Sequence, residues 1–354
     1  MKAAVLHGNY DLRYEEWPEP QVKPGFVKVK VCACGVCGSD MPRITSNGAH
    51  FYPIVLGHEF SGYITETGEG VTGLEPGDHV AAVPLVPCLE CEDCKKGYYS
   101  LCKHYSFIGS REQGGYGEYV VLPEKNAVKI DPSLPWHIGA LFEPSTVAIH
   151  GIRLAGDVKD RTVAVIGCGI IGILTSQWAR ILGAKKVTVF NRNEKRLALA
   201  KRTGADEVIS TKDETYLEKA KEDTDGRLYD FVFDCVGMTP TIVQALNLVA
   251  NHGRVCMIGT PKGEVTLTQR QWETINRKEC FITGSWMSGC APFPGDEWQM
   301  TSDCFADGRL IFDPEMIYRK VPITHPETVA EILKNNEPVS GRIVLMHEAS
   351  GETD

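Results

Sequence analysis

The second half of the chain alternates short apolar segments with segments of helical periodicity. Few folds are compatible with this alternation. Continuous apolar strands are typical of a parallel sheet that is buried on both faces, with the intervening helices covering it. The apolar segments are TVAVIG (162–167), KVTVFN (186–191), DEVIS (206–210), FVFDCVG (231–237) and RVCMIGT (254–260). The helical segments are 170–182, 194–204 and 241–249. The sequence therefore predicts a doubly wound, parallel-sheet (Rossmann) domain over residues 146–284.

The first apolar segment leads directly into the pattern G-x-G-x-x-G, formed by Gly167, Gly169 and Gly172. A glycine triplet alone is a weak signal, but this one follows a buried strand and opens a helix, as a dinucleotide-binding loop must. Gly167 makes the tight turn, Gly169 lets the backbone approach a pyrophosphate, and Gly172 allows close packing. Ile170 and Ile171 begin the helix, whose free N–H groups favour an anion. We therefore expect NADP or NAD as cofactor.

Selection between NAD and NADP is expected at the end of the second apolar segment. An acidic residue at that point binds the ribose hydroxyls of NAD, but Asn191 and Arg192 stand there in this chain. Asn191 does not repel a 2′-phosphate, and Arg192 can bind one through two parallel hydrogen bonds. This predicts tolerance or preference for NADP. The alternative is that Arg192 points to solvent and NAD binds through Asn191 and Arg196.

The chain before residue 145 is rich in strands and turns and poor in helical segments. The expected half-buried strands, separated by glycine-containing turns, are 26–35, 60–68, 79–86 and 116–123. They favour a compact, bulged β-barrel. From about residue 285 the turn-rich pattern returns and ends in the strand GRIVLM (341–346), which we expect to rejoin the barrel. Residues 1–145 and 285–354 are thus predicted to form one β-rich domain.

Four cysteines lie within fifteen residues in the pattern C-x2-C-x2-C-x7-C: Cys88, Cys91, Cys94 and Cys102. Four thiolates can hold one Zn²⁺ tetrahedrally at about 2.3 Å each, and they leave no position open for water. Such a closed site is structural, and the loop around it is too polar to bury a core of its own. Disulfides would need an oxidising compartment, which nothing in the sequence suggests. We therefore predict a structural zinc.

A second metal site is suggested by residues that are scattered through the barrel segment. Cys37 lies in GVCGSD, His58 and Glu59 lie in GHEF, and Glu143 lies in FEPSTVAIH. A catalytic zinc takes three protein ligands and keeps a fourth position open. By spacing alone this signal is weak, because a lone buried cysteine or histidine is more often a core residue than a ligand.

The motifs CGSD and GHE, the four-cysteine segment and the G-x-G-x-x-G domain occur in this order along the whole chain. The order resembles the zinc-dependent medium-chain alcohol dehydrogenase superfamily, which implies a GroES-like fold for the barrel. Alcohol dehydrogenase holds its catalytic zinc with two cysteines and one histidine, but Glu143 here is similar to the sorbitol and polyol dehydrogenase branch. The resemblance implies that Cys37, His58 and Glu143 are the catalytic ligands, with Glu59 as a near ligand that can exchange with water.

The resemblance also bears on proton transfer and on the substrate. Many alcohol dehydrogenases relay the proton through a histidine five residues after the cysteine ligand, where this chain has Pro42. Ser39 can accept the hydroxyl proton instead, although a serine there can also simply cap a turn. Arg43 and Arg111 are the basic residues nearest the site in sequence. They are the candidates for binding a substrate phosphate, and each can alternatively be a surface ion-pair partner.

Together these features predict a dehydrogenase of carbohydrate metabolism with two zinc ions per chain. The segments CGSDMPRI, NGAHFYPIVLGHEFSGYI and FIGSR look like those of polyol-phosphate and sugar-acid dehydrogenases. We expect a polyol phosphate as substrate, with an unphosphorylated polyol or sugar acid as the alternative. A sensor that binds zinc and nucleotide without turnover would lack the open metal position that this ligand set provides. We also expect a homo-oligomer, either a dimer or a tetramer.

Charge and hydropathy argue against other classes of protein. The net charge of −9 disfavours a nucleic-acid partner, which would need a basic face. The N-terminal apolar run is too short for a secretion signal. No window approaches the roughly eighteen apolar residues that a membrane span requires. Thirteen cysteines, an odd number, are expected to be thiols and metal ligands in a reducing cytoplasm.

Overall fold

The computed structural model describes residues 1–261 and 263–351, and the chain divides into two compact units. The first unit comprises Met1–Glu143, Ser288–Asp307 and the chain from Met316 onward. The second comprises Pro144–Met287 and Gly308–Glu315. The chain therefore leaves the first unit and returns to it twice.

Short strands dominate the first segment of the chain. In order, its elements are β1 (Lys2–Gly8), β2 (Asp11–Glu16), β3 (Phe26–Val36), α1 (Asp40–Thr45), β4 (Ile54–Val55), β5 (Glu59–Thr67), β6 (His79–Ala82), β7 (Leu85–Val86), α2 (Glu92–Lys95), β8 (Ser106–Phe107), β9 (Tyr119–Pro123), β10 (Ala127–Lys129), α3 (Trp136–Gly139) and α4 (Phe142–Ala155). Helix α4 begins in the first unit and continues into the second.

The second unit is built on a six-stranded parallel sheet. Its elements are β11 (Thr162–Ile166), α5 (Ile170–Ile181), β12 (Lys186–Asn191), α6 (Glu194–Arg202), β13 (Glu207–Ser210), α7 (Tyr216–Asp223), β14 (Tyr229–Asp234), α8 (Thr239–Leu248), β15 (Val249–Met257), α9 (Gln269–Lys278) and β16 (Phe281–Gly284). The strand order is β13-β12-β11-β14-β15-β16. It reverses between β11 and β14, where such sheets bind a dinucleotide. The predicted Rossmann fold is confirmed.

The segments that return to the first unit add two helices and two strands. These elements are α10 (Glu297–Ala306), β17 (Ile317–Pro322), α11 (Glu327–Lys334) and β18 (Arg342–Met346). The longest described helix, α4, has 14 residues. None of the helices in the described ranges combines the length and the apolar character needed to cross a bilayer.

Strand β3 organises the sheet of the first unit. The order is β10-β6-β5-β3-β18-β17, and β9 also pairs with β3. The register between β3 and β5 shifts after Lys28 and again after Val31. Such bulges bend and twist a strand pair, as the predicted bulged, GroES-like barrel requires. Strand β18 pairs antiparallel with β3, from Ile343 opposite Val36 to Met346 opposite Ala33, so the last strand rejoins the barrel as the sequence predicts.

Two expectations about single elements are wrong. Segment 79–86 forms β6 and β7 rather than one strand, because Pro84 lacks the amide that would continue the ladder. The region after residue 285 contains α10 and α11, whereas its glycine and proline content suggested only turns before the last strand. Both helices bury apolar side chains, among them Trp298 and Val329, and this packing outweighs the turn-rich surroundings.

Candidate active site and metal centres

The end of β3 and the start of β5 bring three metal-binding side chains together. Cys37 follows directly after β3, and His58 and Glu59 stand where β5 begins. The two strands are antiparallel, with Gly35 opposite Glu59. One ligand atom from each of Cys37, His58 and Glu59 lies within 4.8 Å of the other two. The β-ladder therefore assembles a cluster that spacing along the chain does not reveal.

Glu59 is buried, and both a glycine and an arginine lie close to its carboxylate. Gly35 faces it, and a Cβ on Gly35 would collide with the Glu59 carboxylate. Nε of Arg342, on β18, forms an ion pair with Oε2 of Glu59 at 3.0 Å, and both carboxylate oxygens of Glu59 are buried without a hydrogen bond. Burial raises the pKa of Glu59 well above its usual range, and the charge of Arg342 opposes that rise. A cation beside Oε1 would compensate for the burial of this carboxylate.

Asp40, which the sequence analysis did not single out, is the polar centre of this region. It is fully buried at the start of α1. Its Oδ2 accepts hydrogen bonds from the amide of Cys37 at 3.1 Å and from the hydroxyl of Tyr116 at 3.4 Å. Its Oδ1 lies 3.0 Å from Nη1 of Arg43 and 3.5 Å from Nδ1 of His58. Asp40 thus holds the backbone of Cys37 and lies beside the imidazole of His58, the position that residues behind a metal site commonly take.

Glu143, the expected third ligand, is buried at the start of α4. It lies outside the triplet of Cys37, His58 and Glu59, but near enough for His58, Glu59 and Arg342 to act on its pKa. Burial raises the pKa of Glu143 to about 7; His58 opposes this rise and Glu59 adds to it. The thiol of Cys37, the imidazole of His58 and the carboxylate of Glu59 therefore converge, and Glu143 lies within electrostatic reach of them; this donor set fits Zn²⁺.

Ser39 and Arg43 are joined at the first turn of α1. Nη1 of Arg43 donates to the Ser39 carbonyl oxygen at 2.8 Å and to its Oγ at 3.1 Å. The amide of Ser39 donates to Sγ of Cys37 at 3.5 Å. Because Ser39 is exposed, its hydroxyl remains accessible to a small molecule. Arg43 therefore steadies the loop that carries both Ser39 and Cys37.

The arginines Arg43 and Arg111 act on the same imidazole, that of His50. The guanidinium of Arg111 stacks on Tyr105 at 4.5 Å from the ring centroid, and its Nη2 donates to the Tyr105 hydroxyl at 3.2 Å. Burial lowers the pKa of His50, and the charges of Arg111 and Arg43 lower it further. The two arginines are therefore within electrostatic reach of His50, which the sequence analysis missed. We call Arg43, His50 and Arg111 the basic cluster.

The four-cysteine loop has the geometry of a closed zinc site. Sγ of Cys102 lies 3.5 Å from Sγ of Cys88 and 3.9 Å from that of Cys91, and all four sulfur atoms lie within 4.8 Å of one another. A tetrahedral zinc with bonds of about 2.3 Å separates its sulfurs by about 3.8 Å. Amide N–H groups of Cys94 and Lys103 lower the pKa of Cys91 to about 6, which favours the thiolate that a metal requires. The loop fits Zn²⁺.

The glycine loop after β11 has the shape of a pyrophosphate site. Gly167 has a φ of +100°, which side chains disfavour. A Cβ on Gly172 would collide with the Gly167 carbonyl oxygen, whereas nothing lies within 4 Å of a Cβ position on Gly169. Helix α5 begins at Ile170 and Ile171, and no side chain caps it at Gly169. Its first amides are therefore left for an anion.

The end of β12 carries the residues that are expected to select the cofactor. Oδ1 of Asn191 accepts a hydrogen bond from the amide of Asn193 at 3.0 Å. Burial raises the pKa of Cys168 to about 12; a hydrogen bond with Asn191 and the charge of Arg196 oppose the rise. Arg196 and Asn191 thus both lie beside the glycine loop, while Arg192 is exposed.

Both domains match models of known families. Residues 23–132 match the alcohol dehydrogenase GroES-like domain, and residues 171–306 match the zinc-binding dehydrogenase family. The galactitol 1-phosphate 5-dehydrogenase of Escherichia coli (strain K12) is 38% identical over 98% of this chain and 100% of its own length. A crystal structure of galactitol-1-phosphate dehydrogenase from Escherichia coli covers 98% of this chain and 100% of its own, at 38% identity and a TM-score of 0.90.

A second solved structure, a zinc-binding dehydrogenase from Sinorhizobium meliloti 1021 bound to NADP, is 28% identical with a TM-score of 0.86 and covers 98% of each chain. A GroES-like barrel with a zinc-type ligand cluster, together with a Rossmann sheet, defines the class of zinc-dependent dehydrogenases. This chain belongs to the zinc-dependent medium-chain alcohol dehydrogenase superfamily, with relatives in its polyol dehydrogenase branch. It is an oxidoreductase that acts on a small-molecule alcohol.

Proposed function

We propose that the protein transfers hydride between a secondary hydroxyl of a polyol phosphate, of the galactitol-1-phosphate type, and NAD(P). The observation that carries this proposal is the basic cluster, in which Arg43 is hydrogen-bonded to Ser39 and His50 is within reach of both arginines. Guanidinium groups bind phosphate through charge-assisted hydrogen bonds. The full-length similarity to galactitol 1-phosphate 5-dehydrogenase supports the same class of substrate.

The candidate zinc ligands, Ser39 and Glu59 each have a distinct part in this reaction. Zn²⁺, when held by Cys37, His58 and Glu143, supplies a Lewis acid that makes the substrate hydroxyl easier to deprotonate. Ser39 relays the hydroxyl proton: its Oγ takes the proton from the substrate hydroxyl while its own hydroxyl proton passes to solvent water, to which Ser39 is exposed. Glu59, paired with Arg342, serves as the near ligand that exchanges with water.

The direct test is a panel of hexitols and hexitol 1-phosphates assayed with NAD and with NADP. We expect kcat/KM for galactitol 1-phosphate to exceed that for galactitol by about tenfold or more, because the basic cluster binds the dianion. Preference for a free polyol or a sugar acid would replace the proposed substrate with the unphosphorylated alternative. Absence of hydride transfer despite bound zinc and dinucleotide would instead indicate a sensor.

Replacing Arg111 with alanine should separate phosphate binding from catalysis. We expect kcat/KM to fall about ten- to a hundredfold on the hexitol phosphate, because a charge-assisted hydrogen bond contributes about 1.5–3 kcal/mol. The free hexitol lacks the phosphate, so its kcat/KM should change little. The measurement is kcat/KM for both substrates with each variant.

Arg43→Ala should behave differently, because Arg43 also holds Ser39 and Asp40. We expect it to lower kcat on both substrates, with an additional loss on the phosphate ester. Arg277→Ala is the control, since Arg277 is an exposed arginine on α9 that pairs with Glu273. Equal losses on both substrates for Arg111→Ala would mean that the phosphate binds elsewhere or is absent.

NADP is the proposed cofactor, on the strength of the Asn191–Arg192 pair and of the NADP-bound relative. Arg192→Asp should therefore shift the ratio of kcat/KM values towards NAD by about tenfold or more, since a carboxylate accepts ribose hydroxyls and repels a 2′-phosphate. Lys195→Asp makes the same charge change at another exposed cation nearby. An unchanged ratio in Arg192→Asp would mean that Arg192 faces solvent.

We also propose that the protein holds two zinc ions per chain and forms a homo-oligomer. The metal stoichiometry is supported by the two ligand clusters. Strand β16 lies at the edge of the parallel sheet, and its Phe281 and Ile282 are 55% and 44% exposed. Two copies of such an edge can pair about a twofold axis and cover both. Light scattering should give the mass of a dimer or tetramer; a monomer mass would contradict this proposal.

A further inference from the structure

The loop that follows β14 lies at the point where the strand order of the parallel sheet reverses. Strand β14 pairs with β11 across the point where the strand order reverses. A Cβ on Gly167, in the pyrophosphate loop, would lie 2.6 Å from Cγ2 of Val236. Dinucleotides bind across this point, with one mononucleotide on each half of the sheet. Because the pyrophosphate loop and the ribose-selecting residues Asn191 and Arg192 belong to the β11 half, this loop belongs to the nicotinamide half.

Asp234, the last residue of β14, binds this loop through hydrogen bonds to its carboxylate. Its side chain is fully buried. Oδ1 accepts hydrogen bonds from the amides of Val236 at 2.9 Å and Gly237 at 3.2 Å. The hydroxyl of Thr241, in the first turn of α8, shares its one proton between Oδ2 of Asp234 at 3.2 Å and the carbonyl oxygen of Met238 at 2.9 Å. One carboxylate thus ties the loop to the helix that follows it.

The other two amides of the loop also donate hydrogen bonds within the protein. The amide of Cys235 donates to the carbonyl oxygen of Ile166 at 3.0 Å, and the amide of Met238 donates to Oγ1 of Thr241 at 3.1 Å. Four consecutive amides, those of residues 235–238, are therefore bonded within the protein. The backbone of Gly237 also packs so closely against Gly259, in the loop after β15, that a Cβ on either would collide with the other. Contacts within the protein therefore hold the loop in one defined shape.

We propose that Asp234 is a positioning residue, which fixes the loop Cys235–Met238 in the shape that receives the nicotinamide–ribose half of the cofactor. The inference rests on the proposed use of a nicotinamide dinucleotide and adds a residue that does not itself touch the ligand. Asp234→Asn would remove the negative charge and replace Oδ2 by an NH2 group, which cannot accept from the Gly237 amide or from the Thr241 hydroxyl. The loop would then shift on the nicotinamide side only.

The experiment compares NADH, NADPH and 5′-AMP binding to the purified full-length protein by calorimetry. We expect Asp234→Asn to weaken binding of the preferred reduced dinucleotide about tenfold or more. AMP carries only the adenosine half and should bind wild type and variant within about twofold. Asp230→Asn is the matched control, because Asp230 lies near the amino end of the same strand, where its carboxylate accepts hydrogen bonds from the amide and hydroxyl of Thr162. We expect it to leave dinucleotide affinity unchanged.

Thr241→Val keeps the inference testable if Asp234→Asn does not fold. It removes the hydroxyl that links Asp234 to Met238, and we expect a several-fold loss of dinucleotide affinity with unchanged AMP affinity. Wild-type dinucleotide affinity in Asp234→Asn, or in Thr241→Val where the first does not fold, would overturn the inference. An equal loss of AMP binding, or an equal loss in Asp230→Asn, would also overturn it. If wild type itself binds neither dinucleotide, the proposed function fails instead.

Discussion

Replacing Glu143 with alanine is expected to remove one of the two zinc ions and to lower kcat by about a thousandfold or more. A zinc Lewis acid stabilises the transition state by several kcal/mol, and about 4 kcal/mol corresponds to roughly three powers of ten in rate. The fold and dinucleotide affinity should persist, because the glycine loop belongs to the other unit. The measurements are zinc per chain by elemental analysis, kcat, and the Kd for the reduced dinucleotide.

Glu59→Gln is the matched variant, because both carboxyl groups are buried close to His58. We expect this variant to retain both zinc ions, since Glu59 is proposed to exchange with water rather than to hold the metal permanently. If Glu59→Gln loses zinc while Glu143→Ala keeps it, the third ligand is Glu59. Turnover of Glu143→Ala at the wild-type rate in metal-free buffer would reject the ligand role of Glu143.

Replacing Cys91 with serine should have the largest effect on stability. The four-cysteine loop buries little apolar surface, so metal bonds must hold it. Cross-linking a loop of about 15 residues contributes on the order of 3 kcal/mol, and a chain unit of this size loses about 2–4 °C of Tm per kcal/mol. We expect one zinc to be lost, Tm to fall by about 6–12 °C, and aggregation to increase. Elemental analysis and thermal unfolding check this.

Cys280→Ser is the control for Cys91→Ser. Cys280 is a half-buried free thiol just before β16, and it does not belong to either of the described metal-binding clusters. Its replacement should leave the zinc content at two per chain and Tm nearly unchanged. Two zinc ions and wild-type melting in Cys91→Ser would show that the loop is not a zinc site.

The sequence alone was sufficient to predict features whose residues are close together along the chain. Gly167, Gly169 and Gly172 belong to one strand–turn–helix, and their roles follow from a single turn of backbone. Cys88 and Cys102 lie at the ends of one short loop, so their sulfurs can meet without help from the rest of the fold. The alternation of apolar strands with helices likewise reflects burial on both faces of one sheet.

The buried polar network around Cys37 could not be derived in this way. Gly35 lies opposite Glu59 only because β3 and β5 pair in one register, and a slip of one residue would turn every side chain to the other face. Arg342 reaches Glu59 from a strand near the end of the chain. No periodicity along the chain encodes either contact. The motifs therefore indicated candidate ligands, but not the residues that pack against them.

The sequence by itself determined the α/β fold class, the glycine loop after β11 and the four-cysteine cluster, because each depends on residues that are neighbours along the chain. Only the tertiary structure decided that Asp40 joins Cys37, Arg43 and His58, that His50 accompanies the two arginines, and that Asp234 supports the loop after β14. These groups acquire their roles through burial and hydrogen bonding. Both are properties of the packed chain, in which a carboxylate removed from water must find its donors among residues that folding brings to it.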